Sequence, residues 1–296
     1  MNDDVISRLL LKFYYIKDVN GSLFSNSYNF ELNGKFFQLC ILDDLSLFFS
    51  LLPYIDRLAE CPFYIIIPNV YGNVVSFFEN RYFILICFMG RNLAENIIKQ
   101  ILNPIKINNL SCTFWNFLWK RKVDYYESIY YSKLINVDFF KDTFFYFLGL
   151  AENAICYFEY NVDFEQLRTA PRYLCHKKIS LCNSFIISNF IVDYRSRDIA
   201  EILKLIFVYK KNIEFDFREI LHQLNYWESV LLYARIIFPT FYFDCIDDFL
   251  DNKILNLEIF NEDFFDNYEM FLNNISRIIN DYFSIPEILW IKKRTL

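Results

Sequence analysis

The residues of this chain best suited to chemistry lie in the segment Tyr173–Ile206, where His176, Asn183, Asp193 and Asp198 follow one another. Phosphoryl transfer depends mainly on positioning and charge neutralisation, so its site needs few protein groups. One carboxylate accepts the proton of the attacking hydroxyl, and an amide and a second carboxylate hold Mg²⁺. The order of side chains predicts a phosphotransferase-type loop, with Asn183 and Asp193 as candidate Mg²⁺ ligands. His176 is expected to be architectural.

This order of side chains resembles the catalytic loop of the aminoglycoside phosphotransferases and choline kinases, and the resemblance places Lys178, preceded by Lys177, at the position of the catalytic base. A protonated amine cannot accept a proton at neutral pH, so Lys178 cannot act as that base. We therefore predict no catalytic residue, and interpret the four residues above as the retained scaffold of a loop that has lost its reaction. A purely structural interpretation stays open, with a buried histidine, a turn asparagine and a helix-capping aspartate.

Two further parts of a phosphate-binding site are missing from the sequence. The strand expected to carry a phosphate-binding lysine, Phe36–Leu42, has none at its centre, and Lys17 and Lys35 lie at strand edges. The chain has 5 glycines, all far apart, whereas a phosphate-cradling loop needs several neighbouring glycines for close backbone approach. We expect no bound cofactor. ATP and Mg²⁺ are the cofactors of two open alternatives: an active small-molecule phosphotransferase with a relocated base, and a nucleotide-binding sensor without transfer.

Composition and charge argue against several other functions. The chain has 296 residues, is 55% hydrophobic and 21% aromatic, and carries a net charge of −6, which disfavours nucleic acid as a partner. No apolar run reaches the roughly 18 residues that a membrane-spanning helix needs. Eight cysteines form no C-x-x-C pair, which indicates reduced, buried side chains in a cytoplasmic protein. His222 is predicted to be structural, and no zinc or G-x-S-x-G pattern is present.

The first ninety residues predict a small antiparallel sheet with one inserted helix. The turns Asn20-Gly21 and Asn33-Gly34 are strong hairpin signals, and Asp43 or Asp44 is a suitable N-cap for the helix. The predicted strands are Phe13–Asp18, Leu23–Leu32, Lys35–Leu42, Tyr64–Pro68, Asn73–Glu79 and Arg81–Phe88, and the predicted helix is Asp43–Leu58.

Beyond a hinge predicted near Gly90 and Asn92, helical periodicity dominates. The predicted helices are Leu93–Leu102, Thr113–Tyr131, Asp138–Leu150, Ala151–Glu159, Glu219–Ile237, Phe243–Leu250, Glu262–Phe283 and Pro286–Trp290. We therefore predict an α+β fold with two lobes, residues 1–90 and 91–296. Arg197 or Arg235 is expected to pair with a carboxylate such as Glu152 or Asp198.

Several stretches resemble one protein family, the YutH-like spore coat proteins, which are related to the CotS-type spore coat proteins. These belong to the superfamily of aminoglycoside phosphotransferases and choline kinases. The matching stretches cover most of the last two thirds of the chain, in the right order, while the first ninety residues match in outline. They are Phe114–Glu127, Tyr146–Phe158, Cys175-His176, Val192–Lys204, Trp227–Asp247 and Ile285–Ile291.

The resemblance implies a protein-kinase-like fold with a small antiparallel-sheet N-lobe and a larger helical C-lobe. It also implies an eroded catalytic loop, which agrees with Lys178. The expected function is then that of a catalytically degenerate kinase-like protein, or pseudokinase, that acts by binding or assembly. Its expected partners are other coat or cytoplasmic proteins, and its expected location is the cytoplasm, or the spore coat in a sporulating member of the Bacillota.

Overall fold

The chain divides into two compact units in the computed structural model. The first unit is Met1–Ile107 with His176–Ile191, and the second is Asn108–Cys175 with Val192–Leu296. This division differs from the predicted boundary at residue 90 and places part of the candidate loop with the first unit. The residues that the structure describes are 3–24, 27–58, 64–88, 101–108, 110, 112, 115–179, 189–209, 216–253, 257, 259–261 and 263–288.

The first unit is built on an antiparallel sheet of six strands and contains helices α1 (Asp3–Tyr14) and α2 (Leu45–Leu58). The strand order is β1-β2-β3-β6-β4, and β5 also pairs with β6. A short strand, β7 (Lys106–Ile107), follows. The six strands are β1 (Gly21–Phe24), β2 (Ser27–Leu32), β3 (Lys35–Leu42), β4 (Tyr64–Ile67), β5 (Ser76–Phe78) and β6 (Arg81–Phe88).

Helix α1 packs its apolar side against one face of this sheet. Ile6, Leu9, Leu10 and Phe13 lie at helical spacing, and all four are buried in one cluster with side chains of β2, β3 and β6. The sequence prediction of a strand over Phe13–Asp18 was wrong, because Phe13 belongs to the last turn of α1. The run of four apolar residues, Phe13–Ile16, was misread as a strand.

The predicted β2–β3 hairpin and the start of α2 are confirmed. Asn33 and Gly34 have φ values of 52° and 71°, as a tight hairpin turn requires, and they join strands paired over Ser27–Leu32 and Lys35–Cys40. At the start of α2, Asp44 Oδ1 accepts a hydrogen bond of 2.8 Å from Leu47 N. This side chain is therefore the N-cap, one of the two candidates named from sequence.

The second unit is mainly helical and has an aromatic core. Trp119 stacks on Phe238 with ring centroids 4.7 Å apart, and Phe147 stacks on Tyr242 at 4.1 Å. The strands β8 (Arg172–His176) and β9 (Phe190–Asp193) are neighbours in a second sheet. The helices are α3 (Trp115–Ile129), a π-helix (Tyr130–Leu134), α4 (Asp138–Asn161), α5 (Phe164–Thr169), α6 (Ser196–Tyr209), α7 (Phe217–Leu221), α8 (Tyr226–Ile237), α9 (Thr240–Leu250) and α10 (Phe264–Asn280).

Two predicted helix boundaries in this unit were wrong, and so was the helix predicted from Pro286, because the described residues 286–288 are not helical. The helices predicted over Asp138–Leu150 and Ala151–Glu159 are one continuous helix, α4. The helix predicted over Glu219–Ile237 is two helices, because Asn225 caps the start of α8 and ends the preceding turn. Most of the helix predicted at Leu93–Leu102, and the predicted hinge, lie outside the described residues.

Within the part of the chain that the structure describes, no single helix is long and apolar enough to cross a membrane. Helices α8 and α9 reach the required length and composition only as a pair, bent by 42°.

Candidate functional site

The loop that follows β8 begins at His176 and is held by asparagine hydrogen bonds. His176 is completely buried and its ring lies 5.0 Å from that of Phe190, which suits the architectural role predicted for it. Lys178 is exposed. Its backbone N donates to Asn189 Oδ1 at 2.9 Å, and Asn189 Nδ2 donates back to Lys178 O at 2.6 Å. The backbone at Lys178 is thus fixed by the side chain of Asn189.

Asp193, the candidate Mg²⁺ ligand at the end of β9, is completely buried and bound by arginine. Arg235 NH2 lies 2.9 Å from both carboxylate oxygens of Asp193, and Arg197 NH1 lies 3.6 Å from Oδ2. Tyr194 N also donates to Oδ1 at 2.7 Å. An ion pair of Arg197 or Arg235 with a carboxylate such as Glu152 or Asp198 was expected from the sequence. Both arginines lie against Asp193, and Glu152 is exposed.

Both guanidinium groups are also packed against an indole ring. Arg197 Cζ lies 4.1 Å and Arg235 Cζ 5.1 Å from the ring centre of Trp115. The planar guanidinium is weakly hydrated and stacks well on aromatic faces, which makes arginine suited to a buried ion pair. Burial lowers the pKa of Arg235, and the carboxylate of Asp193 opposes that shift. We call Asp193, Arg197, Arg235 and Trp115 the arginine clamp.

Helix α6 positions one side of the arginine clamp and is itself fixed by a buried lysine. Lys204 Nζ binds Glu201 at 2.8 Å, Thr240 Oγ1 at 2.7 Å and the backbone oxygen of Arg235 at 3.0 Å. Burial lowers the pKa of Lys204, whereas the charge of Glu201 opposes this. Since carbonyl groups at a helix end lack partners within the helix, Lys204 satisfies the end of α8 and ties it to α6.

Asp198, the fourth residue named from sequence, lies in the first turn of α6 and is 5% exposed. A carboxylate there interacts favourably with the helix dipole. Asn183 lies outside the described residues, so its predicted Mg²⁺-binding role stays a prediction. Among the residues that are described, no group of three or more His, Cys, Asp and Glu side chains is arranged to hold a metal ion.

Cys175 is adjacent to this loop but is not a nucleophile. Burial raises the pKa of its thiol well above the usual value. Its Sγ lies 3.5 Å from Tyr194 O, to which the thiol donates a weak hydrogen bond. A protonated, fully enclosed thiol is a structural group, as predicted for Cys175. The prediction of burial was wrong for Cys156, which is exposed.

The strand that should carry a phosphate-binding lysine presents uncharged polar groups instead. Gln38, near the centre of β3, is 2% exposed and its Nε2 donates to Ser27 Oγ at 3.1 Å. An amide bound to a hydroxyl cannot neutralise phosphate charge.

Neither the packing of both arginines on Trp115 nor the pairing of Asp193 with Arg235 was predicted from the sequence. A signal for Arg235 was present, because it is the one cation in the apolar stretch Val230–Phe238. A charged residue inside a buried helix needs a partner. The identity of that partner could not be read, since Asp193 lies 42 residues earlier.

Residues 88–270 match the protein family described as "Spore coat putative kinase YutH". Over 211 residues the chain is 26% identical to the endospore coat-associated protein YutH of Bacillus subtilis (strain 168). The match covers 60% of this chain and 61% of that protein, so the chain spans less than two thirds of the relative's length.

Solved structures show the same fold at low sequence identity. An aminoglycoside phosphotransferase from Alicyclobacillus acidocaldarius is similar with a TM-score of 0.63 and 11% identity, covering 95% of this chain and 97% of that one. Spectinomycin phosphotransferase, solved with ADP and spectinomycin, has a TM-score of 0.52 and 12% identity, with coverage of 93% and 96%. The chain belongs to the spore coat YutH family and has the α+β kinase-like fold of the aminoglycoside phosphotransferases.

Proposed function

We propose that this protein is a catalytically degenerate, kinase-like component of the spore coat that acts by binding or assembly and not by phosphoryl transfer. The observation that carries the proposal is the arginine clamp: both carboxylate oxygens of Asp193 accept hydrogen bonds from Arg235. Mg²⁺ needs carboxylate oxygens free to enter its own octahedral shell. Two guanidinium groups beside that carboxylate supply positive charge where the metal would be held, so the residues present do not fit the ion.

Two further observations support the loss of transfer. Lys178 stands at the position of the catalytic base and cannot accept a proton at neutral pH. The centre of β3 offers Gln38, hydrogen-bonded to a serine, where a phosphate-binding cation is expected. Another residue of the chain could compensate for any one of these changes. Together they remove the catalytic base, the phosphate-binding lysine and one metal ligand.

Coat association is proposed from the family and from the relative's description as endospore coat-associated. We expect the protein, expressed with a fluorescent tag in a sporulating host, to fractionate with the coat layers of purified spores. A tagged protein found in the spore core and absent from coat extracts would contradict this location. The expected partners are other coat proteins.

Catalysis is tested separately by ATP turnover and thermal shift. We expect no Mg²⁺-dependent ATP turnover and no stabilisation by ATP with Mg²⁺ beyond that by ATP with EDTA. Lys178→Ala is measured beside the wild type. Lys178 is exposed, so this substitution tests the loop position without disturbing the core. Steady turnover that survives this substitution would show a relocated base and overturn the proposal. Mg²⁺-dependent stabilisation without turnover would instead favour a nucleotide sensor.

A further inference from the structure

The first unit contains a pocket between helix α2 and the residues Lys177 and Phe190 of the same unit. Its empty volume is about 340 Å³ when the open mouth is included. The inner part, counted as the space open to the centre of a water molecule, is about 30 Å³. One enclosed water needs roughly 10–15 Å³ by that measure. The interior therefore has room for a small branched side chain and is too small for a nucleotide.

The interior of the pocket is lined by apolar side chains from two strands and one helix. Each of these side chains is at most 5% exposed, and they are Leu42 of β3, Phe48, Leu51 and Ile55 of α2, and Phe190 of β9. A water molecule enclosed in a protein needs two to four polar partners, which these five side chains do not offer. An apolar group that enters the pocket therefore gains the free energy of leaving water and displaces no well-bonded water molecule.

Charged groups of both signs lie at the mouth of the pocket. Asp43 and Asp44 line it just before α2, Lys177 lines it just after β8, and all three residues are exposed. Asp44 is held in place, because its Oδ1 accepts the capping hydrogen bond of 2.8 Å from Leu47 N. The backbone of Lys177 is held as well, since its N donates to Asn189 O at 2.6 Å. Carboxylates attract an ammonium group and a lysine attracts a carboxylate, each through charge-assisted hydrogen bonds.

A free α-amino acid carries the groups that complement this pocket. Its ammonium and carboxylate groups share the carbon that bears the side chain, so the side chain can enter the pocket while both charges stay at the mouth. We propose that the pocket binds a branched aliphatic α-amino acid, with its ammonium group against Asp43 and Asp44 and its carboxylate against Lys177. A residue inside a polypeptide lacks both charges and fits the mouth less well. This inference does not depend on the proposed loss of catalysis.

The test is calorimetric titration of the full chain with L-leucine. We expect saturable binding with a stoichiometry near one, weakened about fivefold or more by Lys177→Gln and by Asp44→Asn. Both side chains are exposed, and asparagine caps a helix as well as aspartate does, so both variants should stay folded. Lys178→Gln makes the same change at the neighbouring exposed lysine, which does not line the pocket. It should leave the affinity for leucine unchanged, as should Asp18→Asn at an exposed position of the same unit.

Three related ligands separate the contributions of the side chain and the two charges. Alanine keeps both charges but lacks the branched chain, so it should bind about tenfold more weakly than leucine or worse. 3-Methylbutylamine, which lacks the carboxylate, should be insensitive to Lys177→Gln, and 4-methylpentanoate, which lacks the ammonium group, should be insensitive to Asp44→Asn. Equal affinities for alanine and leucine would overturn the proposal. So would leucine binding that both variants leave unchanged, or the absence of any saturable leucine binding.

Discussion

Glu228 offers a quantitative test of how burial controls the stability of this fold. It is 3% exposed, and it forms a reciprocal capping box with Asn225 at the start of α8. Asn225 N donates to Glu228 Oε2 at 3.2 Å, whereas Oε1 is buried and has no donor among the described residues. Burial raises the pKa of Glu228 from 4.5 to about 7, against the lowering effects of this backbone hydrogen bond and of the charge of Arg195.

The expected effect follows from the difference between folded and unfolded pKa values. The folded state holds the proton of Glu228 more tightly than the unfolded chain does, so this group favours folding below pH 4.5. That contribution is lost as the pH rises through the folded pKa of about 7. A shift of about 2.5 pKa units corresponds to about 3 kcal/mol of unfolding free energy.

Glu228→Gln removes the titration and keeps a side chain that suits this position of a capping box. We expect the free energy of unfolding of the variant, minus that of the wild type, to rise by about 3 kcal/mol between pH 4 and pH 8. Urea denaturation at one-unit intervals measures this difference, and other titrating groups cancel because both proteins share them. A difference that stays constant across this range would refute the reasoning.

Five other substitutions test particular positions, each by urea denaturation. Arg235→Leu should lower the free energy of unfolding by about 3–5 kcal/mol, because it leaves a buried carboxylate without its main partner. Arg168→Ala, which breaks an exposed ion pair, should change it by less than about 1 kcal/mol, and equal losses would contradict a special role for the clamp. Asn225→Ala should cost about 1 kcal/mol through loss of the α8 cap, and an unchanged midpoint would argue against the capping box. Gly21→Ala should cost about 1–3 kcal/mol, because an added Cβ would collide with the backbone of β2. Gly149→Ala, where a Cβ meets no atom within 4 Å, should stabilise α4 by about 0.5–1 kcal/mol.

Local signals in the sequence predicted much of the first unit. The Asn33-Gly34 turn and the Asp44 cap act within a few residues, so their chemistry can be read directly from the chain. The missed helix α1 also had a local signal, the spacing of Ile6, Leu9, Leu10 and Phe13. Aromatic residues are common both in strands and on buried helix faces. The segment around Phe13 was assigned to a strand, whereas Phe13 lies on the buried face of a helix.

In the second unit, contacts between residues far apart in the sequence could not be predicted. The start of α8 could have been predicted, because Asn225 and Glu228 have the spacing of a capping box. Asp193 was also singled out from the sequence, and it lies at the end of β9. Its pairing with Arg235 was not predicted, since this contact depends on how β9 and α8 pack in three dimensions. The side chains of the loop could be named from sequence, but their partners required the structure.

The arginine clamp has a consequence for how this protein can evolve. Replacing Lys178 by aspartate would return a base to the loop, yet Asp193 would still be bound by Arg235. Removing Arg235 first would leave a charged carboxylate inside the apolar core and destabilise the fold. Under the proposed loss of transfer, each single step back towards catalysis is therefore either without effect or harmful. The ion pair would then entrench that loss, with Asp193 serving as a residue of the core.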